Sequence, residues 1–187
     1  MLKIIVLEND RLSPIEGVHR NLSTDSLIGW TECYRSTNDV PFNMTVLTKN
    51  CNGSRLLVAC RSTNEKKILK LAAVGHREDI FHSCVPKQCS SQRMFKQINR
   101  TCSNRYHCVT QAKRGVGWYL ARNQSWGFVR GSLSFVINPC DTSDLDADYR
   151  LCWTMKTNRK ASFSDRCGAE KIFQQANKWE RIIYDID

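Results

Sequence analysis

Ten cysteines in a chain of 187 residues constrain this protein more than any other feature. They are interleaved with five N-x-S/T triplets, at Asn21, Asn43, Asn52, Asn99 and Asn123, none with proline in the middle position. An even number of cysteines beside acceptor sites for N-glycosylation points to an oxidising, glycosylating compartment, where disulfides persist. No C-x-x-C pair occurs. Structural zinc favours such closely spaced ligand pairs, and only Cys84-x4-Cys89 comes near, so disulfides are expected even with His76, His82 and His107 nearby. No metal and no cofactor is expected. A secreted protein or extracellular ectodomain follows. The apolar run Met1–Leu7 stops at Glu8, too short for a signal-peptide core, so no export signal is visible in the chain as given.

A chain of this length can bury a true core, so the bridges add to hydrophobic stability. No stretch approaches the eighteen or so apolar residues that span a bilayer, and none is expected to cross one. The net charge of +10 predicts attraction to polyanions. Its basic residues concentrate between Lys87 and Arg130, at Lys87, Arg93, Lys96, Arg100, Arg105, Lys113, Arg114, Arg122 and Arg130, a candidate polyanion contact. No nucleic-acid recognition motif accompanies them, so nucleic acid is not an expected partner.

The pattern along the chain predicts a single β-rich (α+β) disulfide-bonded domain with antiparallel sheets and one or two short helices. Residues 1–28 read as an irregular leader or linker, and 29–187 as the disulfide-rich binding domain. Expected strands are Phe42–Leu47, Arg55–Cys60, Ile68–Val74, Gly117–Ala121, Leu133–Ile137, Tyr149–Met155 and Trp179–Tyr184, short β-branched or aromatic runs between polar clusters. Expected helices are Arg93–Asn99 and Ala169–Lys178.

The spacings Cys51-x8-Cys60, Cys84-x4-Cys89-x12-Cys102-x5-Cys108 and Cys140-x11-Cys152 carry further information. They are joined by Cys51-Asn52-Gly53, Ala72-Ala73-Val74-Gly75-His76-Arg77 and Asn138-Pro139-Cys140. Together these resemble the galactose/rhamnose-binding lectin domain of the sea-urchin-egg-lectin type, over about residues 48–153. The resemblance implies the bridges Cys51–Cys84, Cys60–Cys152, Cys89–Cys140 and Cys102–Cys108, leaving Cys33 to pair with Cys167. It also implies a sugar site around Gly75, His76, Arg77 and Asn138. The chain departs from the family pattern there: Asn52 stands where the family has a sugar-holding glutamate, and Val74 where it has tyrosine. The flanks, Gly29-Trp30-Thr31-Glu32-Cys33-Tyr34, Arg150-Leu151-Cys152-Trp153 and Trp179-Glu180-Arg181-Ile182-Ile183-Tyr184, are similar instead to an uncharacterised secreted cysteine-rich domain.

Trp118, Trp126, Trp153, Trp179, Tyr119 and Phe128 can either fill a core or stack on sugar rings, and the core is the expected place for most. Trp126, beside the Asn123 sequon, is expected at the surface and is the stacking candidate. The run His76-Arg77-Glu78-Asp79 holds acid–base residue types, but neighbours on a strand alternate faces, so no catalytic set is expected. Asp144, Asp146 and Asp148 lack the glycine and closing glutamate of a calcium loop, and a solvated acidic loop is expected. The functional expectation is a binding module and not an enzyme. Its expected partner is a glycan, or alternatively a cell-surface protein.

Overall fold

The structure, a computed structural model, describes residues 15–81, 100–104, 107–110, 115–121, 125–131, 139–140, 146–155 and 165–187. Two antiparallel sheets dominate. The first contains β1 (Gly17–Ser23), β2 (Thr31–Thr37), β3 (Arg55–Ser62), β4 (Ile68–His76) and β12 (Trp179–Ile186), in the order β1-β4-β3-β12-β2. The second runs β11-β10-β9-β8-β7-β6-β5. Its strands are β5 (Arg100–Asn104), β6 (His107–Thr110), β7 (Val116–Ala121), β8 (Ser125–Arg130), β9 (Arg150–Thr154), β10 (Arg166–Cys167) and β11 (Glu170–Lys171). Two short helices, α1 (Met44–Asn50) and α2 (Arg77–Ile80), border the sheets. The β-rich, disulfide-bonded class read from the sequence is the class observed.

Alternation along the strands builds the core. Leu56, Val58 and Cys60 of β3, Leu71 and Ala73 of β4 and Ile183 of β12 meet Trp118, Trp126, Phe128, Leu151, Trp153 and Cys167 of the second sheet. The opposite face of the first sheet is apolar too, with Leu57, Ala59, Ala72, Val74 and Ile182 packed with Leu27. Its central strands are therefore buried on both sides, which is why β3 and β4 read as nearly continuous apolar runs.

No strand was expected at β5, β6, β10 or the buried central strand β8. Four further stretches also differ from the sequence expectation. Residues 17–23, expected to be irregular, form an edge strand paired with β4 from Gly17↔Val74 to Ser23↔Ile68. Edge strands tolerate polar sequence, and Asn21, with φ of 51°, interrupts its regularity, so the strand signal is weak. The same holds for β2, an edge strand of sequence TECYRST that the sequence reading passed over. The expected strand Phe42–Leu47 is mostly helix α1. Asn43 Oδ1 accepts the Val46 N–H at 3.0 Å, and this cap overrides the β-branched composition. The expected helix Ala169–Lys178 is β11 followed by a kinked 3-10 segment, Ile172–Lys178. The buried Asn38 shapes it by donating its backbone N–H to the carbonyls of Ala176 and Trp179. The remaining expectations, strand Leu133–Ile137 and helix Arg93–Asn99, lie outside the described residues.

Among the described residues the disulfides are Cys33–Cys51, Cys60–Cys167 and Cys140–Cys152. They replace Cys51–Cys84, Cys60–Cys152, Cys89–Cys140 and Cys33–Cys167 of the implied pattern. The reason is facial. Cys152 sits between the core residues Leu151 and Trp153, so it projects from the other face of β9 and meets Cys140. Cys167, opposite Leu151, shares the core face and meets Cys60. Cys33 falls at a bulge where β2 pairs β12, beside the Cys51 C-cap of α1. Register sets Cys102 opposite Cys108 across β5–β6. Cys84 and Cys89 lie outside the described residues.

A buried arginine completes the frame. Arg181 of β12 donates to the carbonyls of Thr37 at 3.0 Å and Val40 at 2.5 Å, and its guanidinium lies 5.4 Å from the Phe42 ring centre. Desolvation lowers its pKa, opposed by Tyr34 and Asp165. This bond set holds the β2–α1 loop and carries Phe42 into the aromatic core.

Two outcomes follow from this frame. Cys60–Cys167 closes 107 residues and Cys140–Cys152 closes 12. Chain-entropy arithmetic gives about 5 kcal/mol for the first and about 3 for the second. Urea unfolding is expected to rank Cys60→Ala/Cys167→Ala as the more damaged pair, and the reverse ranking contradicts the cross-sheet bridge. Burial pushes the Tyr119 hydroxyl up to about 12, partly offset by a hydrogen bond with Ser125. The unfolded phenol titrates near 10, so the neutral form belongs to the fold. Stability is whole below about pH 10 and falls by about 2–3 kcal/mol toward pH 12. Tyr119→Phe should flatten that alkaline loss.

Candidate functional site

Trp126 is not at the surface. It is wholly buried, stacked against Phe42 at 5.6 Å and Phe81 at 5.9 Å between ring centres, with Trp153 at 5.3 Å. Its Nε1–H donates to the Ile80 carbonyl at 3.0 Å. Trp118, Trp153, Tyr119 and Phe128 are buried as well, and Trp179 is half-buried. The sugar-stacking role assigned to Trp126 is therefore corrected: its ring faces are consumed by packing.

His76 and Arg77, at the β4–α2 junction, border a depression of about 600 Å³ at the end of the β3–β4 pair, and Gly75 is not in its lining. Asn52, Gly53, Ser54, His76, Arg77, Glu78, Asp79 and Asp187 line it. Three of these come from the turn between α1 and β3, four from the β4–α2 junction, and Asp187 follows β12. The two nearer expectations behave differently. Gly75 is a packing residue: a Cβ there would lie 2.5 Å from Trp118 Nε1, so only glycine lets the indole approach. Arg77 is a clamp. Its guanidinium donates to the carbonyls of Cys51 at 3.0 Å and Thr48 at 3.1 Å, capping the C-terminus of α1 while resting on Phe81. His76 is exposed and opens α2 without a side-chain capping bond, so its imidazole faces the depression unencumbered by the helix.

The floor is held by two devices. Asp185 Oδ2 accepts the N–H groups of Asn52 at 3.0 Å and Gly53 at 3.1 Å. Gly53 sits so close to β12 that a Cβ would meet Ile186 N and O at 2.8 Å. With Cys51 bridged to Cys33, the turn 51–54 is pinned on three sides. The lining carries three carboxylates, Glu78, Asp79 and Asp187, and one guanidinium, Arg77, whose hydrogen bonds to carbonyls hold its position and leave its charge in place. These acids were missed because convergence of Glu78 and Asp79 with Asn52 and Asp187 depends on pairing between distant strands. Only the His76–Asp79 run was visible as chemistry.

The other expectations place as follows. Arg130 is exposed but pairs with Asp146 at 2.7 Å and lies 3.5 Å over the Tyr149 ring. Asp148 pairs with Arg20 at 2.7 Å. The acidic loop thus partners arginines, and among the described residues no group of three or more His, Cys, Asp or Glu gathers as a metal site. Asn21, Asn43 and Asn52 are exposed. Asn138, Asn99, Asn123, Asp144, His82, Lys87, Arg93, Lys96, Arg105, Lys113, Arg114 and Arg122 lie outside the described residues. No family model, curated protein or solved structure matches the chain.

Truncating Trp126 to alanine removes a packed ring from three aromatic neighbours. Such core deletions cost about 3–5 kcal/mol. Thermal or urea unfolding should show that loss, and a Trp126→Ala protein as stable as the parent contradicts the buried position.

Proposed function

We propose that this chain is an extracellular, disulfide-fixed glycoprotein module that binds a neutral saccharide at the His76–Asn52 depression and performs no catalysis. The observation that carries the reading is the convergence of hydrogen-bonding side chains on a pinned turn. Asn52, Ser54, His76 and Glu78 supply an amide, a hydroxyl, an imidazole and a carboxylate around one cavity. Sugar hydroxyls donate readily to carboxylates and exchange bonds with amides, and a wall that does not move saves the ordering cost of binding.

Charge selects the ligand class. The lining holds three carboxylates, Glu78, Asp79 and Asp187, against one guanidinium, Arg77, a balance that disfavours a sulfate or sialic acid there. A neutral hexose or N-acetylhexosamine fits that field. The compartment reading rests on the disulfides and the exposed sequons at Asn21, Asn43 and Asn52. Among the described residues no helix is long and apolar enough to cross a membrane. The competing reading is a protein-binding module without sugar affinity, favoured by the burial of the aromatics that would stack on a sugar.

A glycan array separates the two. Because Asn52 is itself a sequon, the protein to use is the unsubstituted chain, secreted by a host that adds no N-glycans. Binding to one neutral glycan group is expected, reduced about tenfold or more by His76→Ala or Glu78→Gln, as loss of a hydrogen bond to a charged group requires. It should change little between roughly 0.05 and 0.5 M salt. Silence across the array contradicts saccharide binding and supports the protein-interaction reading. Binding that collapses with salt transfers the activity to basic residues elsewhere.

A further inference from the structure

The cavity proposed to take a saccharide has a glycosylation acceptor in its own lining. We infer that the N-linked glycan on Asn52 is the cavity's resident occupant, so that the first sugar of that glycan covers His76, Glu78 and the backbone of 76–79 and gates access to external ligands. This inference rests on the saccharide chemistry of the cavity proposed above.

Three observations carry it. First, Asn52-Gly53-Ser54 is a sequon in which the asparagine is exposed and Gly53 is not bulky enough to hinder an approaching donor. Second, the sequon is held rather than loose. Asp185 binds two of its N–H groups, Gly53 abuts β12, and Cys51 is bridged to Cys33. A sugar attached at Asn52 therefore begins from a defined position on the rim. Third, the cavity of about 600 Å³ is bordered by acceptors suited to a neutral, hydroxyl-bearing and amide-bearing ring. The exposed sequons at Asn21 and Asn43 are not part of this depression's lining: Asn21 is on edge strand β1 and Asn43 caps α1. Tethering also multiplies the effective concentration of the attached sugar to the millimolar range, which overcomes the weakness of a single-ring contact.

The covalent step balances with a donor of stated class. An oligosaccharide joined to a lipid through pyrophosphate loses its anomeric C–O bond, the carbon forms a C–N bond with Asn52 Nδ2, and one amide proton leaves with the pyrophosphoryl lipid. Attachment uses the amide nitrogen, so the backbone bonds to Asp185 survive.

The test uses the whole secreted chain. Glycopeptide mass spectrometry should find Asn52 occupied. Amide hydrogen exchange across residues 76–79 should be about tenfold slower in the glycosylated protein than in Asn52→Gln. Trimming the glycan to its first N-acetylglucosamine should keep the slow exchange. Ser54→Ala, which removes the sequon but keeps Asn52, must match Asn52→Gln. Thr45→Ala, which removes only the Asn43 glycan and spares its cap, must leave 76–79 unchanged. On the array the glycosylated parent should bind about tenfold or more weakly than the same unsubstituted chain made without N-glycans. An unoccupied Asn52, or equal exchange with and without its glycan, overturns the inference. Silence of the unglycosylated chain on the array with protected 76–79 amides in the glycosylated parent instead sinks ligand binding alone and leaves the resident glycan standing.

Discussion

The Cys60–Cys167 bridge is the constraint on which the two sheets depend. It joins the centre of β3 to β10, and both sulfurs lie inside the cluster that holds Phe42, Trp126 and Trp153. Large rings pack well only when opposing walls keep a fixed separation and register, since interiors are as dense as molecular crystals. A covalent tie across that interface restricts the sliding that would leave rings unsupported. Two further bridges among the described residues act locally, one fastening α1 to β2 and one fastening the 139–140 turn to β9. Loop-closure entropy rises with the length enclosed, so the cross-sheet bridge also removes the most freedom from the unfolded chain.

The surface depression inherits its shape from this interior. Trp118 fills the space over Gly75, and Trp126 binds the Ile80 carbonyl at the end of α2. Helix α2 in turn begins with Arg77, whose guanidinium holds the end of α1 and so the start of the 51–54 turn. Asp185 closes the circuit from β12. Residues that looked like ligand contacts, Gly75 and Arg77, prove to be the supports that set His76, Glu78 and Asn52 around one cavity. A rigid surround of this kind is what allows weak polar contacts to discriminate, because the ordering cost falls on folding rather than on binding.

Sequence patterning was legible in several deeply buried strands, though the buried β8 was passed over. Strands β3, β4, β7, β9 and β12 are apolar, short and bounded by polar clusters, and each expected segment there overlaps the observed one. Edge strands β1 and β2 escaped because one rim faces solvent and the selection for apolar alternation is relaxed. Helix α1 escaped because a single capping bond at Asn43 outweighs β-branched composition, and caps are hard to weigh against propensity. Cysteine pairing is governed by which face of a strand each residue occupies. That parity is visible for Cys152 only once its register with Leu151 and Trp153 is known. The acidic border of the depression was hidden for the same reason: Asp187 and Asn52 are distant in sequence and meet only through β3–β12 pairing.

Peptide mapping of natively purified, non-reduced protein tests the central constraint most directly. Proteolysis should release one covalently linked pair carrying Cys60 and Cys167, which separates on reduction. Cys60 found joined to Cys152, or recovered as a free thiol, would contradict the cross-sheet bridge and with it the frame that shapes the depression.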